Sequence, residues 1–213
     1  VETRPPPAKT IFSRKRGRYG FDFTVESILS DDIGGYRCIA AGDLDGDRDD
    51  EVALLGKNDV LILDYKNGKY TIFLHQPLPI GEVKPINVDI ADINGNGLGE
   101  LFVTIVDVDW DNDIPKPRVF SYIYELQGKS MNILYGDIPL FLRVVRNVDG
   151  RPILLAQEMG KYTFYQGKIY QIVWDGKEYS LSDPPPNMRG IKKLYGFAPI
   201  PGTDDRFVYV DDV

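Results

Sequence analysis

The sequence predicts an all-β chain assembled from repeated four-stranded antiparallel units, and three observations carry that expectation. Two nine-residue loops, Asp43-Leu44-Asp45-Gly46-Asp47-Arg48-Asp49-Asp50-Glu51 and Asp92-Ile93-Asn94-Gly95-Asn96-Gly97-Leu98-Gly99-Glu100, share one pattern and start 49 residues apart. Each is bracketed by short apolar runs: Ile39-Ala40-Ala41-Gly42 and Val52-Ala53-Leu54-Leu55 for the first, Val88-Asp89-Ile90-Ala91 and Leu101-Phe102-Val103-Thr104-Ile105 for the second. Such runs, bounded by turn residues, read as buried strands. No segment holds a helical period over ten or more residues.

Along the chain, Arg4-Pro5-Pro6-Pro7-Ala8-Lys9 reads as a stiff, extended linker. Arg14-Lys15-Arg16-Gly17-Arg18 reads as a solvated lead-in strand whose charge guards an edge; contact with an acidic partner or an anionic surface is the alternative. Residues 1–18 are therefore set apart from a repeat region over 19–213. Within it, strands at 60–65 and 70–74 flank Lys66-Asn67-Gly68-Lys69, whose Asn-Gly is a hairpin signal. Similar pairs are expected at 119–126 with 132–135, and at 169–174 with 179–181. Further copies of the loop unit should fall near residues 145 and 197. Worn versions stand there: Val144-Val145-Arg146-Asn147-Val148-Asp149-Gly150-Arg151-Pro152-Ile153-Leu154-Leu155 has a shortened loop, and the copy over 197–210 carries Pro199 and Pro201 at two ligand positions. Four strands every ~50 residues is the size of a β-propeller blade. The expectation is thus about four blades of a larger propeller, with more polypeptide before Val1 and after Val213 and a strand at 207–210 that begins a hairpin.

The loops carry the chemistry. Oxygen-bearing side chains occupy positions 1, 3, 5 and 9: Asp43, Asp45, Asp47 and Glu51 in the first, Asp92, Asn94, Asn96 and Glu100 in the second. Position 7, Asp49 or Leu98, adds a backbone carbonyl. A hard cation such as Ca²⁺ takes roughly six to eight oxygens at about 2.3–2.6 Å, and a tight loop supplies them from alternate side chains. Neither loop is an EF-hand, because position 12 is Leu54 or Val103 rather than a bidentate Glu. An acidic surface turn without metal is the plainer alternative.

These loops resemble FG-GAP/VCBS repeats, the calcium-loop blades of integrin-like β-propellers, with the pattern D-x-[DN]-G-[DN]-G-x-x-[DE]. The second loop matches at every constrained position. The first departs at position 6, where Arg48 replaces Gly and must take a backbone geometry that Gly takes freely. The resemblance implies two structural calcium sites, and charge count predicts that the first binds tighter. Phe21-Asp22-Phe23, Phe141-Leu142-Arg143-Val144-Val145 and Tyr195-Gly196-Phe197 are also similar to bacterial envelope proteins with VCBS-type propellers.

Composition narrows the function. The 213 residues include 32 acidic and 25 basic side chains, a net charge of −7, which disfavours nucleic acid. No apolar run approaches the ~18–20 residues that cross a bilayer. A single cysteine, Cys38, excludes an internal disulfide framework and reads as a buried structural thiol; a single histidine, His75, excludes a multi-histidine metal site. Asp107-Val108-Asp109-Trp110-Asp111-Asn112-Asp113 reads as a solvated loop tip, with a weak cation site or partner contact as its alternative. Asp183-Pro184-Pro185-Pro186-Asn187 reads as a connector. No phosphate-cradling Gly loop or nucleophile elbow is present. The expected function is a calcium-stabilised, non-catalytic module outside the cytoplasm that binds a protein or glycan partner. A structural subunit of a surface assembly, with self-association, and part of a polysaccharide-active enzyme are the alternatives.

Overall fold

The computed structural model describes residues 35–66, 69–81, 83–111, 114–147, 149–161, 164–195, 197–199 and 207–209. The linker and the basic lead-in lie outside them, as does Phe21-Asp22-Phe23. The chain is all-β. Its first sheet holds β1 (Cys38–Gly42), β2 (Glu51–Leu55), β3 (Asp59–Lys66) and β4 (Lys69–Pro77); its second β5 (Lys84–Ala91), β6 (Glu100–Asp111), β7 (Ile114–Gln127) and β8 (Ser130–Ile138). The third holds β9 (Leu140–Arg146), β10 (Pro152–Glu158), β11 (Ile169–Trp174) and β12 (Tyr179–Ser182). In each sheet the strands follow chain order and pair antiparallel. A short pair, β13 (Phe197–Pro199) with β14 (Phe207–Tyr209), follows. This pair is the strand–turn–strand outline expected over 197–210, and the hairpin expected to follow from 207–210 lies outside the described residues.

Side-chain alternation stacks the three sheets face to face. Ala53, Leu55, Val60 and Ile62 of the first sheet meet Leu101, Val103, Ile105, Tyr122 and Tyr124 of the second in one core. The intervening residues of those second-sheet strands, Phe102 and Ile123, point the other way and join Leu140, Leu142, Leu154 and Ala156 of the third. The second sheet is therefore apolar on both faces, which is why its strands read as continuous apolar runs. The first strands of successive sheets lie side by side, β1 against β5 and β5 against β9.

That neighbourhood buries an edge. The backbone of β9 has β10 on one side only, and buried backbone groups must find partners. Side chains of the second sheet supply them: Ser121 Oγ donates to Leu140 O at 2.7 Å, Thr104 Oγ1 accepts from Leu142 N at 3.1 Å, and Asp89 accepts from Val144 N at 2.9 Å. Tyr195 OH adds a bond to Leu142 O at 2.6 Å.

The acidic stretch is strand rather than loop over residues 107–111, while Asn112 and Asp113 lie outside the described residues. Residues 107–111 continue β6, paired with 114–118 of β7, and Asp107 faces Arg118 while Asp109 faces Lys116. Arg118 bonds Asp107 at 2.7 Å. Opposite charges across the ladder stabilise an extended ribbon that the acids alone would not. Pro115 and Pro117 fit because β8 pairs only with the stretch from Ser121 on, which leaves their missing N–H groups on an open side. Cys38 is half-buried rather than buried, and free.

Phe102 is 1 % exposed between two sheets, whereas Ile133 is 49 % exposed. Phe102→Ala is expected to cost about 3–5 kcal/mol and Ile133→Ala less than about 0.5 kcal/mol, read from urea unfolding midpoints.

Candidate metal centre

Each loop joins the first strand of a sheet to its second, so both hang from the same end of adjacent sheets, and there they touch. Gly99 N donates to Asp43 O at 3.0 Å. A Cβ on Gly99 would run into that carbonyl oxygen, and Leu98 packs over Gly46. Only glycine permits this approach.

Inside each loop the same five bonds recur at equivalent positions. The position-1 carboxylate accepts two backbone N–H groups, Gly46 and Arg48 on Asp43 at 2.7 and 2.9 Å, Gly95 and Gly97 on Asp92 at 2.7 and 3.0 Å. Position 3 accepts from position 5: Asp47 N on Asp45 at 3.1 Å, Asn96 N on Asn94 at 2.9 Å. Position 5 accepts from position 7: Asp49 N on Asp47 at 2.9 Å, Leu98 N on Asn96 at 2.8 Å. The closing glutamate reaches back to position 2, with Leu44 N on Glu51 at 2.8 Å and Ile93 N on Glu100 at 2.7 Å. Leu44 and Ile93 anchor this geometry by inserting into the two inter-sheet cores. Each loop is thus wound around inward-facing oxygens.

The two glutamates are the anomaly. Glu51 is 1 % exposed and Glu100 fully buried, and each leaves its Oε1 without a hydrogen-bond partner. A buried acceptor left unpaired costs about 1–3 kcal/mol. Burial pushes both carboxyls up to about 7; the Leu44 N–H opposes this for Glu51 while Asp45 and Asp47 add to it, and the Ile93 N–H and the Tyr179 hydroxyl oppose it for Glu100 while Asp92 and Glu125 add to it. A cation beside these oxygens would remove the penalty, and the oxygen-only donor set suits a hard one.

In the first loop the carboxylates of Asp43, Asp45 and Glu51 come within 4.8 Å of one another. Asp47 stands outside that group, exposed, and Asp49 is exposed as well. In the second loop Asp92, Asn94, Asn96, Leu98 and Glu100 repeat the frame. Arg48 has φ 76° where Gly97 has φ 89°, so the arginine adopts the left-handed conformation the pattern demands.

Residues distant in sequence complete both centres. Across from Glu100 in the ladder stands Glu125 of β7, whose Oε2 accepts from Asn96 Nδ2 at 2.6 Å and Asn94 Nδ2 at 3.3 Å. Asp64 of β3, 4 % exposed, acts electrostatically on Glu51; it pairs with Lys66, which also feels Asp45 and Asp47. Tyr179 of β12, from the third sheet, brings a buried hydroxyl against Glu100 and Asn94. The one available signal was phase: Asp64 and Glu125 fall on the alternation of Ile62 and Ile123, which face a core. In the third sheet the equivalent turn is too short, with Asn147 N on Arg151 O and Gly150 N on Asn147 O, both at 2.8 Å, and Pro152 stands where the closing glutamate would be.

A left-handed non-glycine residue costs about 1–2 kcal/mol, partly offset by the unfolded-state entropy of glycine, about 0.5–1 kcal/mol. Arg48→Gly is therefore expected to stabilise the protein by about 0.5–1 kcal/mol in chelator, read from urea unfolding.

Comparison with known proteins adds no family: no family model matches the chain, and no curated protein is significantly similar to it.

Proposed function

We propose that this chain is a calcium-stabilised, non-catalytic β-propeller segment of the FG-GAP/VCBS type that binds a protein or glycan partner outside the cytoplasm. The observation that carries the reading is the pair of loops with five matching bonds, each closed on a buried glutamate oxygen that lacks a partner. Asp43, Asp45, Asp47, Glu51 and the Asp49 carbonyl would hold one ion. Asp92, Asn94, Asn96, Glu100 and the Leu98 carbonyl would hold the other. The ion supplies charge neutralisation and ties a strand connection; no bond is made or broken.

The propeller reading is supported by meander sheets that stack face to face with their first strands side by side. The extracytoplasmic reading follows from the sites. Loops of this kind suit millimolar calcium, and a concentration ~10–100-fold above the dissociation constant stabilises the fold by about 1.4–2.7 kcal/mol per site. Carboxylates with a recognisable spacing all belong to the cradles, which leaves the loops and sheet edges as the functional surface. Among the described residues no helix is long and apolar enough to cross a membrane.

A second reading, a subunit of a surface assembly, is favoured by apolar side chains exposed on the first sheet: Ile39, Ile72 and Tyr65. Sedimentation of purified protein as large regular particles would select it over a soluble binding module.

Calorimetry with calcium is expected to show two sites, Asp43→Ala and Asp92→Ala each removing one. The first should be the tighter, with four side-chain carboxylates against two. Chelation should lower the unfolding midpoint by several degrees, about 1.4–2.7 kcal/mol per emptied site. A parent protein that takes up no calcium ends the reading.

A further inference from the structure

The second cradle has a weakness that the first does not. Its positions 3 and 5 are asparagines, whose side chains end in one acceptor and one two-hydrogen donor. A cation is held by the oxygen and repelled by the NH₂ group, so an asparagine ligand works only if something fixes which end faces inward. It also contributes no charge, so Asp92 and Glu100 are the only carboxylates in the loop itself.

Glu125 answers both needs. It lies directly opposite Glu100 in the β6–β7 ladder, on the alternation that carries Ile123 into the core between the second and third sheets. One oxygen, Oε2, receives Asn96 Nδ2 at 2.6 Å and Asn94 Nδ2 at 3.3 Å. With both NH₂ groups held there, both Oδ1 atoms turn toward the loop, where they already accept Asn96 N and Leu98 N at 2.9 and 2.8 Å. The first cradle has carboxylates at the same positions, which present an oxygen either way round, and its third-strand acid, Asp64, is instead paired with Lys66. Beside the second cradle the fully buried Glu100 leaves its Oε1 without a hydrogen bond of good geometry, with the Tyr179 hydroxyl next to it, and that oxygen points to an absent occupant.

We propose that Glu125 is the positioning residue of the second cation site: it orients the Asn94 and Asn96 amides oxygen-inward and supplies the negative charge that those two positions lack. This rests on the calcium reading above for its ligand, but its geometry can be tested without metal. Glu125→Gln keeps an acceptor and removes the charge; Glu125→Ala removes both. Outer partners of metal ligands typically carry about 10–100-fold in affinity. In an Asp45→Asn background that weakens the first site, calorimetry with calcium should show a loss of about 10–100-fold for Glu125→Ala and about 3–10-fold for Glu125→Gln. In the calcium-free protein, the side-chain amide signals of Asn94 and Asn96 in nitrogen-15 spectra should move in Glu125→Ala and broaden as the amides begin to flip; a merely structural residue would leave them in place.

Affinity within twofold of the parent in both variants, or amide signals that stay put, would overturn the proposal. Lost affinity with unmoved amides would overturn it too, by making Glu125 a direct ligand. Should Glu125→Ala not fold, Glu125→Gln carries the calorimetric comparison and an Asn94→Ala variant assigns the amide signals. A parent that binds no calcium yet shows the amide shifts would refute the calcium reading and leave Glu125 as the holder of the two asparagines.

Discussion

The buried free edge of β9 is the constraint on which the arrangement of sheets depends. A strand with a ladder partner on one side has backbone groups on the other that must be satisfied once water is excluded. Ser121, Thr104 and Asp89 meet Leu140 O, Leu142 N and Val144 N, and each comes from the second sheet. The two sheets are thereby fixed in register as well as in contact, since apolar packing alone is non-directional. The two cradles belong to the first and second sheets, and there the side-by-side placing of β1 and β5 brings the loops to one end, close enough for Gly99 N to reach Asp43 O.

The cradles trade one cost for another. Winding a nine-residue loop around oxygens satisfies its backbone N–H groups but crowds carboxylates together, and the closing glutamates are buried at the start of β2 and β6, with one oxygen each unpaired. Burial raises both carboxyls to about 7, which is the electrostatic side of the same cost. The arrangement is wasteful for a structural turn, and the third sheet shows the cheaper solution. There Asn147, Gly150 and Arg151 close a short turn with two backbone bonds, and its acid, Asp149, is an exposed acceptor for Arg151 rather than a buried one.

Much of the strand order and both loops were legible in the sequence, because period-2 apolar runs and Asn-Gly or Asp-Gly turns are local signals. The hairpins around residues 66–69, 127–129 and 175–178 all formed as expected. What failed was register. The stretch from Asp107 looked like a loop because its acids and the prolines after it are poor strand residues; its stability comes from Arg118 and Lys116 across the ladder, a pairing that only a fixed register reveals. Asp64, Glu125 and Tyr179 were missed for the same reason. They reach the cradles from a third strand or from the next sheet, and no local spacing announces them.

The two loops show how one hydrogen-bonded frame accommodates different side chains at positions 3 and 5. The first places acids at positions 3 and 5 and then sets Lys66, paired with Asp64, within electrostatic reach of them. The second places amides there and brings Glu125 instead. In the second loop the third-strand Glu125 adds a negative charge across from the closing glutamate; in the first the third-strand Asp64 is acidic too, and Lys66 neutralises it. The second strategy asks more of geometry, because an amide must be held the right way round whereas a carboxylate need not be. It follows that the charge advantage of the first loop, four side-chain carboxylates against two, narrows once Glu125 is counted, while Asp64 and Lys66 offset each other, and a motif read alone overstates the difference between the loops.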